Sequence, residues 1–153
     1  MQMKSIEMYK DLPDEIYEKF DKMTDEAYEL FVNKQYEKSF ETYKECLNLI
    51  PEPKKDYGDS SNVIEWMVEN YLEIQDYPNA TYWVETLGNY LKNKNILGDW
   101  EFLKGKVYFE SGNLKKSLEN FKKAYEKAGG SIFNEQNPKY LDFYRHPEKY
   151  IKN

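Results

Sequence analysis

One histidine, one cysteine and one arginine are all that 153 residues offer of three side chains on which much catalysis and recognition depend. The single thiol, Cys46, excludes an intrachain disulfide and any cysteine-rich metal site. His146 stands beside Pro147 with no second histidine or cysteine to share a metal, so it reads as a surface or turn residue. With Arg145 the sole arginine, the guanidinium forks favoured for phosphate and base-edge readout are missing. A net charge of −6 opposes nucleic acid and anionic membrane for a second reason. No window approaches the apolar length that crosses a bilayer. The start, Met1-Gln2-Met3-Lys4, leads into a charged amphipathic stretch rather than the apolar core of a signal peptide. A cytoplasmic protein with no nucleic-acid or membrane partner is the expectation.

Proline and glycine are also scarce, six and seven residues, too few for a low-complexity chain. Gly98, Gly105 and Gly112 are spaced seven apart and do not form a phosphate-binding loop. Asn79-Ala80-Thr81 matches a glycosylation acceptor but falls inside a predicted helix. Carboxylates are plentiful, yet no pairing of them marks an acid/base site. These gaps point away from an enzyme, and no cofactor or metal is implied.

What the chain has is aromatic area: fifteen Tyr, eight Phe and three Trp within a 40% hydrophobic composition. That is enough for one domain over 1–153 with a core of its own. The apolar residues recur at helical steps, as in Leu103, Val107 and Tyr108 and again in Leu114, Leu118, Phe121 and Tyr125. Three segments share one pattern. Ala27, Leu30, Tyr36, Ser39, Tyr43, Cys46 and Pro51 form the first. Val68, Tyr71, Tyr77, Ala80, Trp83-Val84 and Leu87 form a degenerate second. Gly105, Tyr108, Gly112-Asn113, Ser117, Phe121 and Ala124 form the third and clearest.

On these residues the chain resembles the tetratricopeptide repeat family, in which small and aromatic residues alternate over two antiparallel helices joined by a Gly-Asn/Asp-aromatic turn. The resemblance implies an all-α fold of helix-pair repeats at about 20–53, 60–95 and 98–128, covering about Thr24 to Ala128. The anchors Tyr36, Tyr77 and Leu114 lie 41 and 37 residues apart, against a family period of about 34. The excess falls in Pro51–Gly58 and around Lys92–Gly98, read as inter-repeat loops or extended helix ends. Asp59 or Ser60 is expected to cap the helix carrying Trp66 and Tyr71, and Gly129-Gly130 to end the last repeat helix. Pro13 with Asp14 and Glu15 marks an N-terminal helix extension that can run on through Phe20. Asn137-Pro138 opens a capping helix within 131–153, as the open end of a repeat array requires. Cys46, at a small-residue position, is expected to be a buried, inert thiol.

The resemblance further implies a partner on the concave face formed by the first helix of each pair. Matched position by position, that face carries Asp21, Thr24, Tyr28, Phe31 and Val32, then Asn62, Glu65, Glu69, Leu72 and Glu73. The third pair adds Asp99, Phe102, Lys106, Phe109 and Glu110, with Phe31, Leu72 and Phe109 alternatively packed between helices. Six carboxylates against one ammonium suggest a basic partner, and Glu65, Glu69 and Glu73 stack at i, i+4 steps, a mildly destabilising stripe. The competing reading is an ordinary solvated face. Thr24, Tyr28, Glu65, Glu69, Phe102 and Lys106 do not match the lysines and asparagines of a carboxylate clamp. The leading function is therefore a protein–protein adaptor or scaffold, a monomer or weak dimer, binding a basic protein or peptide. The alternatives are an immunity or antitoxin-like inhibitor, suggested by the tail around Phe133 and Pro138–Tyr144, and a self-assembling structural repeat protein.

Overall fold

The computed structural model describes residues 6–152; residues 1–5, which include the opening Met1-Gln2-Met3-Lys4, and residue 153 lie outside them. Seven helices account for most of that span, with no named strand among the described residues. They are α1 (Asp14–Val32), α2 (Tyr36–Leu49), α3 (Gly58–Glu73), α4 (Tyr77–Leu87), α5 (Asp99–Glu110), α6 (Leu114–Ala128) and α7 (Pro138–Arg145). The fold is all-α. Helices α1 and α2, α3 and α4, and α5 and α6 pack as hairpins, and α2 on α3 and α4 on α5 join one hairpin to the next.

The three hairpins turn in the same way, atom for atom. At the end of α1 the Gln35 N–H donates to Leu30 O and the Lys34 N–H to Phe31 O, at 2.9 Å each. Asp76 to Tyr71 and Gln75 to Leu72 repeat this after α3, and Asn113 to Tyr108 and Gly112 to Phe109 after α5. This pair of bonds satisfies carbonyls that a helix end otherwise leaves open, and it requires a left-handed residue between them. That residue is Lys34 (φ 63°), Gln75 (φ 60°) or Gly112 (φ 88°). The residue that follows starts the second helix of the pair. Asp76 accepts from the Asn79 N–H and Asn113 from the Lys116 N–H, whereas Gln35 makes no such cap.

Inside each hairpin the first helix meets the second at a position twelve residues on. Ser39 Oγ donates to Ala27 O at 2.6 Å, and Ser117 Oγ donates to Gly105 O at 2.7 Å. In the middle hairpin Val68 and Ala80 stand at those positions, so the bond is replaced by apolar contact. Four residues further on, sizes compensate: Ala27 goes with Tyr43, Val68 with Val84, and Gly105 with Phe121, all buried. A Cβ on Gly105 would come within 2.6 Å of the Phe121 ring, so glycine here is a packing requirement.

The links between hairpins carry the variation in repeat length. Phe40 of α2 stacks on Tyr71 of α3, centroids 3.7 Å apart. Trp100 lies over the end of α4, its indole N–H donating to Val84 O at 2.7 Å, and Gly88 makes room for its ring. Residues 6–12 run extended across the two long connections. The Lys10 N–H donates to Asp56 O, the Glu7 N–H to Asn93 Oδ1, and Asn93 Nδ2 donates back to Glu7 O. The expected cap at Asp59 or Ser60 is not what starts α3. A short 3-10 turn, Lys54–Asp56, leads directly into Gly58, so Ser60 is already inside the first turn and donates to Lys54 O.

Two ends complete the molecule. The N-terminal extension runs on through Phe20 into the first hairpin, as its sequence suggested: α1 begins after Pro13 and is unbroken to Val32, with Asp14 and Glu15 in its first turn. At the other end Gly129 (φ 77°) stops α6, and Asn137 caps α7 by accepting from the Lys139 N–H. Phe133, Tyr140 and Phe143 then close over Phe102 and Phe121 in one aromatic cluster. Edge-to-face and tilted contacts of this kind add to the burial of large apolar rings that α6 would otherwise expose. Cys46 is fully buried between α1 and α2, and burial pushes its thiol up to about 12, so no thiolate forms near neutral pH.

Candidate functional site

The first helices of the three pairs present a groove made of three adjoining depressions. One lies between α1 and α3, about 340 Å³, and is lined by Asp25, Tyr28, Trp66 and Glu69 over Tyr43 and Asn70. The next lies between α3 and α5, about 330 Å³, lined by Glu65, Trp66, Glu69, Asp99 and Lys106. The last, about 440 Å³, lies where Glu73 and Glu110 meet the cap residues Glu135, Gln136 and Lys139. Glu69 lines all three.

Charge along this groove is uneven. Seven carboxylates (Asp25, Glu65, Glu69, Glu73, Asp99, Glu110 and Glu135) face two ammoniums. Both ammoniums are engaged. Lys106 donates to Glu69 Oε1 at 2.9 Å, and Lys139 pairs with Glu110, which also accepts from Tyr140 OH at 2.8 Å. Among the described residues no lysine or arginine lies within ion-pair distance of Asp25, Glu65, Glu73 or Asp99. Glu65 shows the consequence: burial first, then the nearby charges of Asp99 and Glu69, push its carboxyl above the usual carboxylate range. A group so placed is stabilised by any cation that enters.

The aromatic side of the groove is exposed. Tyr28 is 61% and Trp66 44% open to solvent, although both are large apolar rings. Large apolar rings left exposed cost hydration free energy that burial against another surface would recover.

The residues expected from sequence on this face occupy different places in the fold. Tyr28, Glu65, Glu69, Glu73, Asp99, Lys106 and Glu110 line the groove together with Thr24 and Phe102. Of these, Thr24 is buried with its hydroxyl donating to Asp21 O, and Phe102 is 5% exposed beneath Phe133 and Tyr140. Both therefore lie at the floor of the groove. Asp21 and Asn62 are exposed on α1 and α3 but line none of the three depressions. Phe31 and Phe109 are packed, Phe31 against Tyr36 and Phe40 and Phe109 against the cap. Val32 is exposed.

Trp66 and Asp25 were not among the residues singled out, although the spacing reveals both. Trp66 stands four residues from Asn62 and three from Glu69, and Asp25 three from Tyr28, so each shares a helical face with them. The cap residues had no such signal, because only tertiary packing brings 135–140 against α3 and α5.

Among the described residues no cluster of three or more His, Cys, Asp and Glu is placed to hold a metal, and no helix is long and apolar enough to cross a membrane. His146 ends α7 on the surface, 3.7 Å from Glu148. Comparison of the chain with protein-family models, curated proteins and solved structures gives no match.

Proposed function

We propose that this protein is a non-catalytic adaptor of tetratricopeptide-repeat type whose groove binds a basic segment of another protein. The observation that carries the proposal is the pairing of unneutralised carboxylates with exposed Tyr28 and Trp66 on one concave surface. The turn repeated in all three hairpins and the twelve-residue Ser-to-carbonyl bond shared by the first and third support the repeat assignment, since equivalent atoms recur at equivalent places. In repeat arrays the surface formed across neighbouring units is the one available to an elongated ligand. Acid along such a surface steers cationic partners and rejects anionic ones.

Affinity capture from the native host with a salt-step elution tests this reading, run beside the Glu65→Gln/Asp99→Asn double variant. Neither substitution removes an ion pair found among the described residues, so the fold is kept while the groove loses two negative charges. The expected result is a basic partner held by the natural chain, released at moderate salt and at least about tenfold depleted on the variant. Equal capture by both proteins would refute the acidic groove as the binding surface.

A further inference from the structure

The depression between α1 and α3 differs from the rest of the groove in what it offers a ligand. Tyr28 and Trp66 supply exposed π faces, and Tyr43 lies buried beneath them. Asp25 and Glu69 supply carboxylates at its edge. Asn70 donates its Nδ2 to Tyr43 OH at 3.3 Å, and among the described residues its Oδ1 makes no hydrogen bond. The hydroxyl of Thr24 is directed back to Asp21 O. Lys106 engages Glu69 through Oε1, and among the described residues no lysine or arginine lines the depression itself. The described lining is therefore rich in acceptors and ring faces and holds no cation.

That chemistry has a narrow complement. An anion is repelled by Asp25 and Glu69. An apolar side chain fits the rings but removes water from two carboxylates and an amide oxygen without replacing it. A lysine ammonium satisfies the charge as a compact, strongly hydrated point. A guanidinium satisfies more of the lining: it is planar, stacks on aromatic faces, is weakly hydrated, and presents a fork of N–H donors to carboxylates. A volume of about 340 Å³ accommodates such a head group with part of its stem.

We infer that the α1–α3 depression is an arginine-recognition subsite, seating the guanidinium of a partner against Tyr28 and Trp66 with Asp25 and Glu69 as its acceptors. This rests on the reading of the groove as the site for a basic segment and names the side chain that anchors it. Arginine at interface centres carries a disproportionate share of binding energy when its fork and its flat face are both used.

The test uses the full chain and three small probes: N-acetyl-arginine amide, its neutral isostere N-acetyl-citrulline amide, and N-acetyl-lysine amide. Proton–nitrogen correlation spectra follow the three indole N–H signals and the Asn70 side-chain amide during titration. The expected result is a saturable shift of the Trp66 indole and the Asn70 amide with the arginine probe, at a Kd on the order of 10 mM. Citrulline and lysine amides bind at least about fivefold more weakly. Trp66→Leu and Asp25→Asn each weaken the arginine probe severalfold; Trp66 is substantially exposed, and Tyr28→Leu supplies an independent check on a different helix. Citrulline binding as well as arginine, or shifts scattered outside the depression, would overturn the subsite. Lysine binding equally well would overturn the guanidinium assignment. Failure of the probes beside continued salt-sensitive capture of a basic partner removes the subsite and leaves the groove reading standing. A bound arginine probe beside capture unaffected by Glu65→Gln/Asp99→Asn does the reverse.

Discussion

The first turn is built on the same hydrogen bonds as the third but from less suitable residues, and transplanting two residues measures what that difference costs. In the third turn Gly112 occupies the left-handed position and Asn113 caps α6. In the first, Lys34 adopts φ 63° and Gln35 offers no cap to α2. A side chain in the left-handed region costs roughly 1–2 kcal/mol, and glycine returns about 0.5–1 kcal/mol of that through the greater freedom of the unfolded chain. Lys34→Gly is thus expected to stabilise by about 0.5–1 kcal/mol. Lys34 is exposed and makes no side-chain hydrogen bond or ion pair among the described residues, so little is lost with it. Gln35→Asn adds a cap worth about 1 kcal/mol. Together they give about 1.5–2 kcal/mol, or roughly 3–8 °C in Tm for a chain of this size. Urea unfolding of the two single variants and the double variant, followed by circular dichroism, reads the effect as a higher midpoint with unchanged slope. Lys34→Gly leaving the midpoint unchanged or lowering it would show that the left-handed turn is not the strained position it is taken to be.

Further outcomes follow from the same geometry. Gly105→Ala forces a Cβ to within 2.6 Å of the Phe121 ring and should destabilise by about 1–3 kcal/mol; combined with Phe121→Val it should cost less than the sum of the two single changes, measurable as a double-mutant cycle. Phe143→Ala, which empties a fully buried site on the inner face of the capping helix α7, should cost about 3–5 kcal/mol in chemical denaturation. Removing 131–153 should lower the melting temperature by exposing Phe102 and Phe121. Glu65 has its carboxyl raised by burial and by Asp99 and Glu69, so the folded chain holds its proton to higher pH than the unfolded one. Stability from this group is greatest below its unfolded value and is lost as pH rises through the raised one. Glu65→Gln should therefore stabilise more at pH 7 than at pH 4, and thermal melts at the two pH values check the sign.

The helices and their pairing were legible because the signal is local and repeated. Ala27 to Ser39, Val68 to Ala80 and Gly105 to Ser117 keep one spacing through three hairpins, and the first and third pairs bring small residues to a helix crossing. The added length lies where the sequence concentrates Pro, Gly, Lys and Asn, and the structure puts the two long connections there. What escaped was set by contacts distant in the chain. The span 6–12 reads as the approach to a helix, yet its backbone is held by Asp56 and Asn93, which no local pattern links to it. Phe102 reads as a face residue because its helical position is right, but the cap that buries it arrives thirty residues later.

A stripe of acids at helical spacing is not by itself a uniform surface once the helix is packed. Glu65, Glu69 and Glu73 share one face of α3, and in isolation their repulsion costs a few tenths of a kcal/mol per pair. In the folded protein they are not equivalent. Glu69 is held by Lys106 from the next hairpin, so its charge contributes to joining α3 and α5 and is only partly free for a partner. Glu110, matched to the same surface, is held by Lys139 and Tyr140 and contributes to seating the cap. Among the described residues no cation pairs with Glu65 or Asp99, which face each other across α3 and α5, so burial and then the charges of Asp99 and Glu69 raise the carboxyl of Glu65. A partner cation relieves the strain at Glu65 and Asp99, whereas at Glu69 and Glu110 it must compete with a lysine already in place. Binding should accordingly tolerate loss of Glu110 better than loss of Glu65, and a comparison of Glu110→Gln with Glu65→Gln in the same capture assay separates a working acidic groove from a merely solvated one.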